Sequence, residues 1–141
     1  MSGGGTGGMP AGRPFRRLFA LLALAVVAAD QGAKAWVLGA VTPGKPVEIA
    51  GDWFRITFVQ NSGALFGLFQ DRAILFAVSS VAVMAVIVLV HERTGRNLPL
   101  SIALGLLLGG AVGNFIDRLR FGYVVDFVDM GVGAWRFYTY N

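Results

Sequence analysis

The chain has 141 residues, of which 55% are hydrophobic and 14% charged, and its mean hydropathy is +0.65. These values exclude an ordinary soluble domain and indicate one small membrane unit. The net charge of +4 does not indicate nucleic-acid binding, because the basic residues lie at the ends of apolar runs, where they set membrane orientation. The absence of cysteine excludes disulfides, thiolate metal ligands and a thiol nucleophile.

Residues 1–12 are mostly glycine, serine, threonine and proline, and we predict that they form a disordered leader. Residues 13–141 then form a single membrane domain, with a first span at about 16–40. A cleavable signal peptide is the alternative for this run, since it begins with basic residues and has an apolar core. The span is favoured because Asp30 and Lys34 are four residues apart, which places an acid and a base on one helix face.

Two further apolar runs predict a second span at about 73–90 and a third at about 98–117. The second contains no charge, and its serines, Ser79 and Ser80, are predicted to pack or to bond to the backbone. The third carries glycines at three- and four-residue spacings, a pattern that lets another helix approach closely. Those glycines are Gly105, Gly109, Gly110 and Gly113.

The segment between the first two spans predicts β-structure at about 46–67, because apolar residues alternate with Arg55 and Thr57 after turn signals. The predicted fold is therefore mainly α: a multi-pass membrane helical bundle, with three spans present, and a small extracytoplasmic β-sheet. The same outer segment and the third-span glycines are candidates for the walls of a substrate groove.

Lysine and arginine counts in the short connections predict the orientation. The arginines before span one and between spans two and three indicate a cytoplasmic N-terminus, and residues 39–72 and those after Asp117 are then on the outer side. Arg118 and Arg120 are exceptions to this rule. The cytoplasmic arginines are Arg13, Arg16, Arg17, Arg93 and Arg96.

The chemically active residues are few. The only histidine, His91, is predicted at the solvated cytoplasmic end of span two, so a Ser-His-Asp triad or a histidine metal site is not expected. We predict no metal and no cofactor. The outer side is acidic instead, and two close carboxylates in a poorly solvated site share a proton, as metal-free peptide hydrolysis requires. The candidates are Asp30, Asp117, Asp126 and Asp129.

Asp126 is the strongest of these candidates, because a carboxylate inside an apolar run needs a partner or a function. Asp117 is explained equally well by an interfacial ion pair with Arg118, and Asp129 has a weaker claim near a glycine loop. Two asparagines have an ordinary alternative role in satisfying backbone groups where elements end. They are Asn61 and Asn114.

Four short motifs occur in order across nearly the whole chain, and together they resemble the lipoprotein signal peptidase family, also called signal peptidase II. A single one of them would carry little weight. The motifs are Asp30-Gln31-x-x-Lys34, Asn61-x-Gly63-Ala64-x-Phe66, Gly109-Gly110-Ala111-x-Gly113-Asn114-x-x-Asp117-Arg118 and Gly122-x-Val124-Val125-Asp126-Phe127.

The resemblance implies four transmembrane helices, an extracytoplasmic β-cradle and an aspartate dyad near the outer surface of the bacterial inner membrane. It implies that the substrate is a prolipoprotein, cut just before its diacylglyceryl-modified cysteine, and that membrane lipid is the other partner. By this resemblance Asp126 is one member of the dyad. The surrounding substrate-binding shell would be Asp30, Lys34, Asn61, Gly63, Asn114, Asp117, Arg118 and Asn141.

The chain departs from the family pattern at its end. The second catalytic aspartate belongs to an Asn-x-Ala-Asp motif, of which Asn141 is the last matching position, and the fourth span is missing as well. We therefore expect this 141-residue form to be inactive, whether it is a fragment or lacks half of its dyad, unless Asp117 or Asp129 substitutes. The residues alone leave a second hypothesis: a non-enzymatic membrane scaffold or transporter subunit, with Asp30, Lys34 and Asp117 as an ion or proton relay.

Overall fold

The computed structural model describes residues 14–62, 73–94 and 96–141. The predicted leader and residues 63–67 of the predicted outer segment lie outside these ranges. The described part contains three helices and four strands. They are α1 Arg16–Ala40, β1 Val47–Ala50, β2 Phe54–Asn61, α2 Ala73–Thr94, α3 Leu98–Phe121, β3 Val124–Val132 and β4 Trp135–Arg136.

All three helices are long and apolar enough to cross a membrane, at 25, 22 and 24 residues. With the small antiparallel sheet, they confirm the predicted fold class. Helix α3 begins where the Asn97 side chain accepts a hydrogen bond from the Leu100 N–H at 3.0 Å. It ends at Phe121, four residues beyond the predicted end of the span, and is capped by Gly122, whose φ of 77° is a left-handed conformation suited to glycine.

Helix α1 packs on the glycine face of α3. A Cβ atom at Gly109 would lie 2.5 Å from Val26 Cβ, and one at Gly105 would lie 3.0 Å from the Phe19 carbonyl oxygen. Gly113 faces the Asp30 carboxylate. The predicted close helix approach is therefore confirmed at these three glycines. Because α1 covers them, they do not form a wall of a substrate groove, which was the other role that the sequence suggested for them.

The glycine contacts predict the stability of two neighbouring variants. Gly109→Ala is expected to lower the free energy of unfolding by about 1–3 kcal/mol, because the added methyl group overlaps Val26 and the Ala23 carbonyl. Gly110→Ala is the matched control, since no atom lies within 4 Å of its added Cβ and alanine favours the helix. Thermal unfolding in detergent measures both, and equal melting temperatures would contradict the packing.

The strands form one antiparallel sheet in the order β1-β2-β3-β4. The sequence pattern predicted the β1–β2 half at about 46–67 but not β3. The reason is that residues 124–132 show no clean alternation of polar and apolar side chains, so the strand pattern is weak. A bulge between Ile56 and Val59 shifts the register of β2, so that Val59 pairs with Asp126.

The sheet is attached to the helices by a small apolar core in which Val37 of α1 and Val41, the residue after α1, pack with Val125 of β3. Residues 137–141 then run back along β3. The Phe137 N–H donates to the Met130 carbonyl at 2.8 Å, and the Tyr140 N–H donates to the Val128 carbonyl at 3.1 Å. This pairing brings Asn141 over α1 and α3.

The polar side chains of α2 show one correction. Ser79 and Ser80 both donate to the Phe76 carbonyl, at 3.1 and 2.6 Å, as predicted. His91 was expected at a solvated helix end, but only 1% of it is exposed, and its ring stacks on Phe19 at 4.0 Å. The prediction was wrong because the packing of α1 beside this end of α2 covers the ring, which a single-helix pattern does not reveal.

Candidate active site

Lys34 is the centre of a buried polar cluster between α1 and α3. Only 2% of its side chain is exposed, and its ammonium group lies 2.9 Å from Asp30 Oδ1, 2.8 Å from Asp117 Oδ2 and 3.0 Å from Asn114 Oδ1. These three acceptors match the three hydrogens of the ammonium group. The four-residue spacing of Asp30 and Lys34 therefore forms the ion pair that the sequence indicated.

Asp117 is completely buried, and both of its oxygens are engaged. Oδ1 accepts from Gln31 Nε2 at 3.0 Å, and Oδ2 accepts from the Val125 N–H at 3.0 Å as well as from Lys34. The alternative of an ion pair with Arg118 is not what the structure shows, since the cation bound to Asp117 is Lys34. Arg118 Nη1 instead donates to the Asn114 carbonyl at 3.3 Å.

Asp126 lies beside this cluster, on β3, at a cavity of about 430 Å³. It is 4% exposed, and its Oδ2 accepts a hydrogen bond from Asn61 Nδ2 at 2.8 Å. Burial raises the pKa of the Asp126 carboxyl above its ordinary value, against the opposing effects of the Asn61 hydrogen bond and the Lys34 and Arg118 charges. A carboxyl group in such surroundings can exchange a proton with a bound water.

The raised pKa of Asp126 predicts a pH-dependent stability effect. Its ionised form costs stability above the raised pKa, and this cost vanishes as the pH falls toward 3.8, the ordinary value. Asp126→Asn removes the charge and retains an acceptor for Asn61, so we expect a melting temperature a few degrees higher at neutral pH. Thermal unfolding is measured from about pH 3.5, just below the ordinary Asp pKa, to about pH 8. The difference in melting temperature between Asp126→Asn and the parent should shrink as the pH falls. A gain that grows with acidity contradicts the burial argument.

Asn141 closes one side of the cavity. Its Nδ2 donates to Asn114 Oδ1 at 2.7 Å and to Asp30 Oδ1 at 3.3 Å. Asn114 Oδ1 therefore accepts from both Lys34 and Asn141, and it joins the buried cluster to the chain segment above it.

Most of the predicted site residues are brought together. Those that line the cavity with Asp126 are Asn61, Asn114, Arg118 and Asn141. Asp30, Lys34 and Asp117 lie directly behind Asn114, and Gly63 lies outside the described residues. The sequence patterns indicated no role for Gln31, although it is part of the first motif. They also indicated none for the lining residues that directly precede Asn141, which are Tyr138, Thr139 and Tyr140.

Asp129 does not line this cavity. Arg55 Nη2 binds its Oδ2 at 2.7 Å, and Arg136 Nε binds its Oδ1 at 2.8 Å. Burial acts to raise the pKa of Asp129, but the hydrogen bonds from Arg136 and Arg55 outweigh it and hold the pKa below the ordinary value. Such a carboxylate is suited to an ion pair rather than to proton exchange.

Across the described ranges, no group of three or more histidine and acidic side chains is placed to hold a metal ion. The expectation that the site uses neither metal nor cofactor remains a prediction. The site as described contains carboxylates, amides and two cations around one cavity.

A family model for signal peptidase (SPase) II matches residues 22–141 of the chain, a range that includes every residue of this site. The chain belongs to the signal peptidase II family. It is thus a peptidase of the membrane, and its family acts in the cleavage of signal peptides from prolipoproteins.

Relatives and solved structures agree with this assignment. A lipoprotein signal peptidase of Moorella thermoacetica is 42% identical over 115 residues, which cover 81% of this chain and 77% of the relative. One of Halothermothrix orenii is 38% identical, with 79% and 77% covered. A solved bacterial membrane enzyme matches with a TM-score of 0.81 and 29% identity, over 89% of this chain and 78% of that one. A second has a TM-score of 0.80 and 30% identity, over 90% and 83%.

Proposed function

We propose that this signal peptidase II removes signal peptides from diacylglyceryl-modified prolipoproteins by means of two carboxyl groups, one of which is Asp126. The observation that carries the proposal is the buried Asp126 carboxyl at a cavity, with a pKa raised by burial. In this mechanism the ionised carboxylate takes a proton from water while the hydroxyl oxygen bonds to the scissile carbonyl carbon. The protonated partner hydrogen-bonds to the carbonyl oxygen, and a proton then passes to the leaving amide nitrogen as the C–N bond breaks.

The residues around Asp126 hold it and the substrate in place. The amide of Asn61 orients one oxygen of Asp126. Asn114 lines the cavity, and its hydrogen bond from Lys34 fixes its side chain relative to the buried cluster. The positive charges of Lys34 and Arg118 favour the ionised form of Asp126, so that burial does not keep the carboxyl protonated at all times.

The lipid part of the substrate requires access from the side. Removing an acyl chain from the bilayer costs about 0.8 kcal/mol per methylene group, so the modified cysteine must reach the site while its chains stay in lipid. An apolar groove of about 490 Å³ between α2 and α3 supports this route. Arg118 lines both the groove and the Asp126 cavity.

We place the protein in the bacterial inner membrane, with a cytoplasmic N-terminus and the active site on the outer side. Arg93 lies in the last turn of α2 and Arg96 follows that helix, at the end that lies near the start of α1, where Arg16 Nε is 3.7 Å from Glu92. The Lys34 cluster lies toward the other end of α1. Basic residues at one end and the site at the opposite end support this orientation.

The second carboxyl group is proposed to come from the third position after Asn141, as the family resemblance implies. Two other described carboxylates of the site, Asp30 and Asp117, are bound to Lys34 and are not free to act as this partner. A polypeptide of these 141 residues alone is therefore expected not to cleave prolipoprotein. Fusion of residue 141 to the fourth helix of a signal peptidase II, with its Asn-x-Ala-Asp aspartate, is expected to restore cleavage.

The test compares the two proteins in lipid vesicles with a diacylglyceryl-modified prolipoprotein, and product is followed by gel shift. The matched control is the same fusion with that aspartate changed to asparagine. Robust cleavage by the 141-residue protein would refute the assignment of the second carboxyl group.

A further inference from the structure

A second polar cluster lies at the far end of the sheet and takes no part in the mechanism above. Two arginines and two aspartates form it, from the β1–β2 turn and from strands β2, β3 and β4. We call it the Asp52 cluster; its members are Asp52, Arg55, Asp129 and Arg136.

The two arginines bind the same carboxylates in matching ways. Arg55 lies 2.7 Å from Asp129 and 3.2 Å from Asp52, and Arg136 lies 2.8 Å from Asp129 and 2.9 Å from Asp52. Their side chains are 20% and 18% exposed, and that of Asp129 is 8% exposed. Charge-assisted bonds in such partly buried surroundings are stronger than ordinary surface pairs.

The two arginines differ in the chain segments to which they belong. Arg55 lies in β2, which pairs with both β1 and β3. Arg136 ends the two-residue strand β4, and in the segment that follows it, residues 138–141 line the cavity. Arg136 Nη1 also donates to the Asp52 carbonyl at 3.0 Å, which adds a bond to the backbone.

The rest of the segment is bonded to β3 and to the helices. Its backbone is paired with β3 at Phe137 and Tyr140, the Tyr140 hydroxyl donates to Met130 Sδ at 3.1 Å, and the Asn141 side chain is bonded to α1 and α3. The start of the segment is set by Arg136 and the two-residue ladder of β4, in which Gly131 pairs with Arg136. A shift at Arg136 is therefore expected to displace Tyr138, Thr139 and Asn141 at the cavity.

On the basis of the proposed function, we infer that Arg136 is a positioning residue, which anchors residues 137–141 so that Asn141 and its neighbours keep their place at the Asp126 cavity. Arg136 contacts neither substrate nor Asp126 in this scheme. It acts through the segment that follows it, and the guanidinium fork is required because it must reach both Asp129 and Asp52.

The test is a matched pair of variants, Arg136→Lys and Arg55→Lys. Each variant keeps the positive charge but replaces a guanidinium group, which binds both Asp52 and Asp129, with a single ammonium group. Similar losses of melting temperature are therefore expected. In the cleaving fusion, Arg136→Lys is expected to lower kcat/KM by about tenfold or more, since displacement of a site by about 1 Å has effects up to a hundredfold. Arg55→Lys is expected to stay within about twofold of the parent.

A second measurement does not depend on cleavage. The 141-residue sequence has no cysteine, so Phe137→Cys, at a side chain that is 74% exposed, accepts a single nitroxide label. We expect label mobility in lipid vesicles to rise with Arg136→Lys and to stay unchanged with Arg55→Lys. If the fusion cleaves nothing, the proposed function fails. The mobility of the label then tests by itself whether Arg136 anchors residues 137–141.

Equal effects of the two variants on both kcat/KM and mobility would overturn the inference, because the cluster would then support only the stability of the sheet. If Arg136→Lys does not fold, Asp52→Asn replaces it. That variant weakens the bond to Arg136 Nη1 at a more exposed residue, and unchanged mobility of the label in it would likewise overturn the inference.

Discussion

Asp126→Asn in the four-helix fusion is expected to abolish prolipoprotein cleavage, with kcat/KM lower by about a thousandfold or more. Asparagine fills the same space and can still accept the Asn61 hydrogen bond, but it cannot take a proton from water. General acid–base groups contribute on the order of 100- to 10,000-fold, and the loss of one member of a dyad removes the function of both. The measurement is single-turnover cleavage in vesicles.

The control for this variant is Glu48→Gln, which removes a carboxylate from an exposed position on β1 of the same sheet. Its rate is expected to stay within about twofold of the parent. Uncut precursor should accumulate only with Asp126→Asn, while both proteins insert to the same extent. Undiminished cleavage by Asp126→Asn would remove Asp126 from the mechanism.

Lys34→Met is expected to lower the free energy of unfolding by about 3–5 kcal/mol, the largest stability effect that the structure predicts. The substitution preserves most of the side-chain volume but leaves two carboxylates, Asp30 and Asp117, without the cation between them. Asp117 is completely buried, so bulk solvent does not reach its carboxylate to replace that cation. Unfolding in mixed detergent, followed by tryptophan fluorescence, measures the loss.

Two comparisons separate charge from packing in this experiment. Lys45→Met, in the exposed turn before β1, is expected to change stability by less than about 0.5 kcal/mol. Asp117→Asn added to Lys34→Met is expected to recover part of the loss, because it removes one of the unpaired charges. A Lys34→Met protein as stable as its parent would show that the buried cluster contributes nothing to folding.

The amino-acid sequence by itself determined the fold class and most of the candidate site. Long runs without charge can be stable only as membrane helices, and the spacing of Asp30 and Lys34 places both on one face of a helix whatever surrounds it. The glycine spacing of α3 likewise predicted a close helix neighbour, since a helix without side chains on one face can be approached closely. These properties depend on local geometry alone.

Only the tertiary structure decided which residues meet. Asp117 binds Lys34 across 83 residues of chain rather than its neighbour Arg118, because the packing of α1 on α3 brings the ammonium group there. His91 is covered by Phe19, and β3 forms although its own pattern is weak, because β2 is present to pair with it. Each of these depends on contacts between segments distant in the chain, and such contacts leave no local period in the sequence.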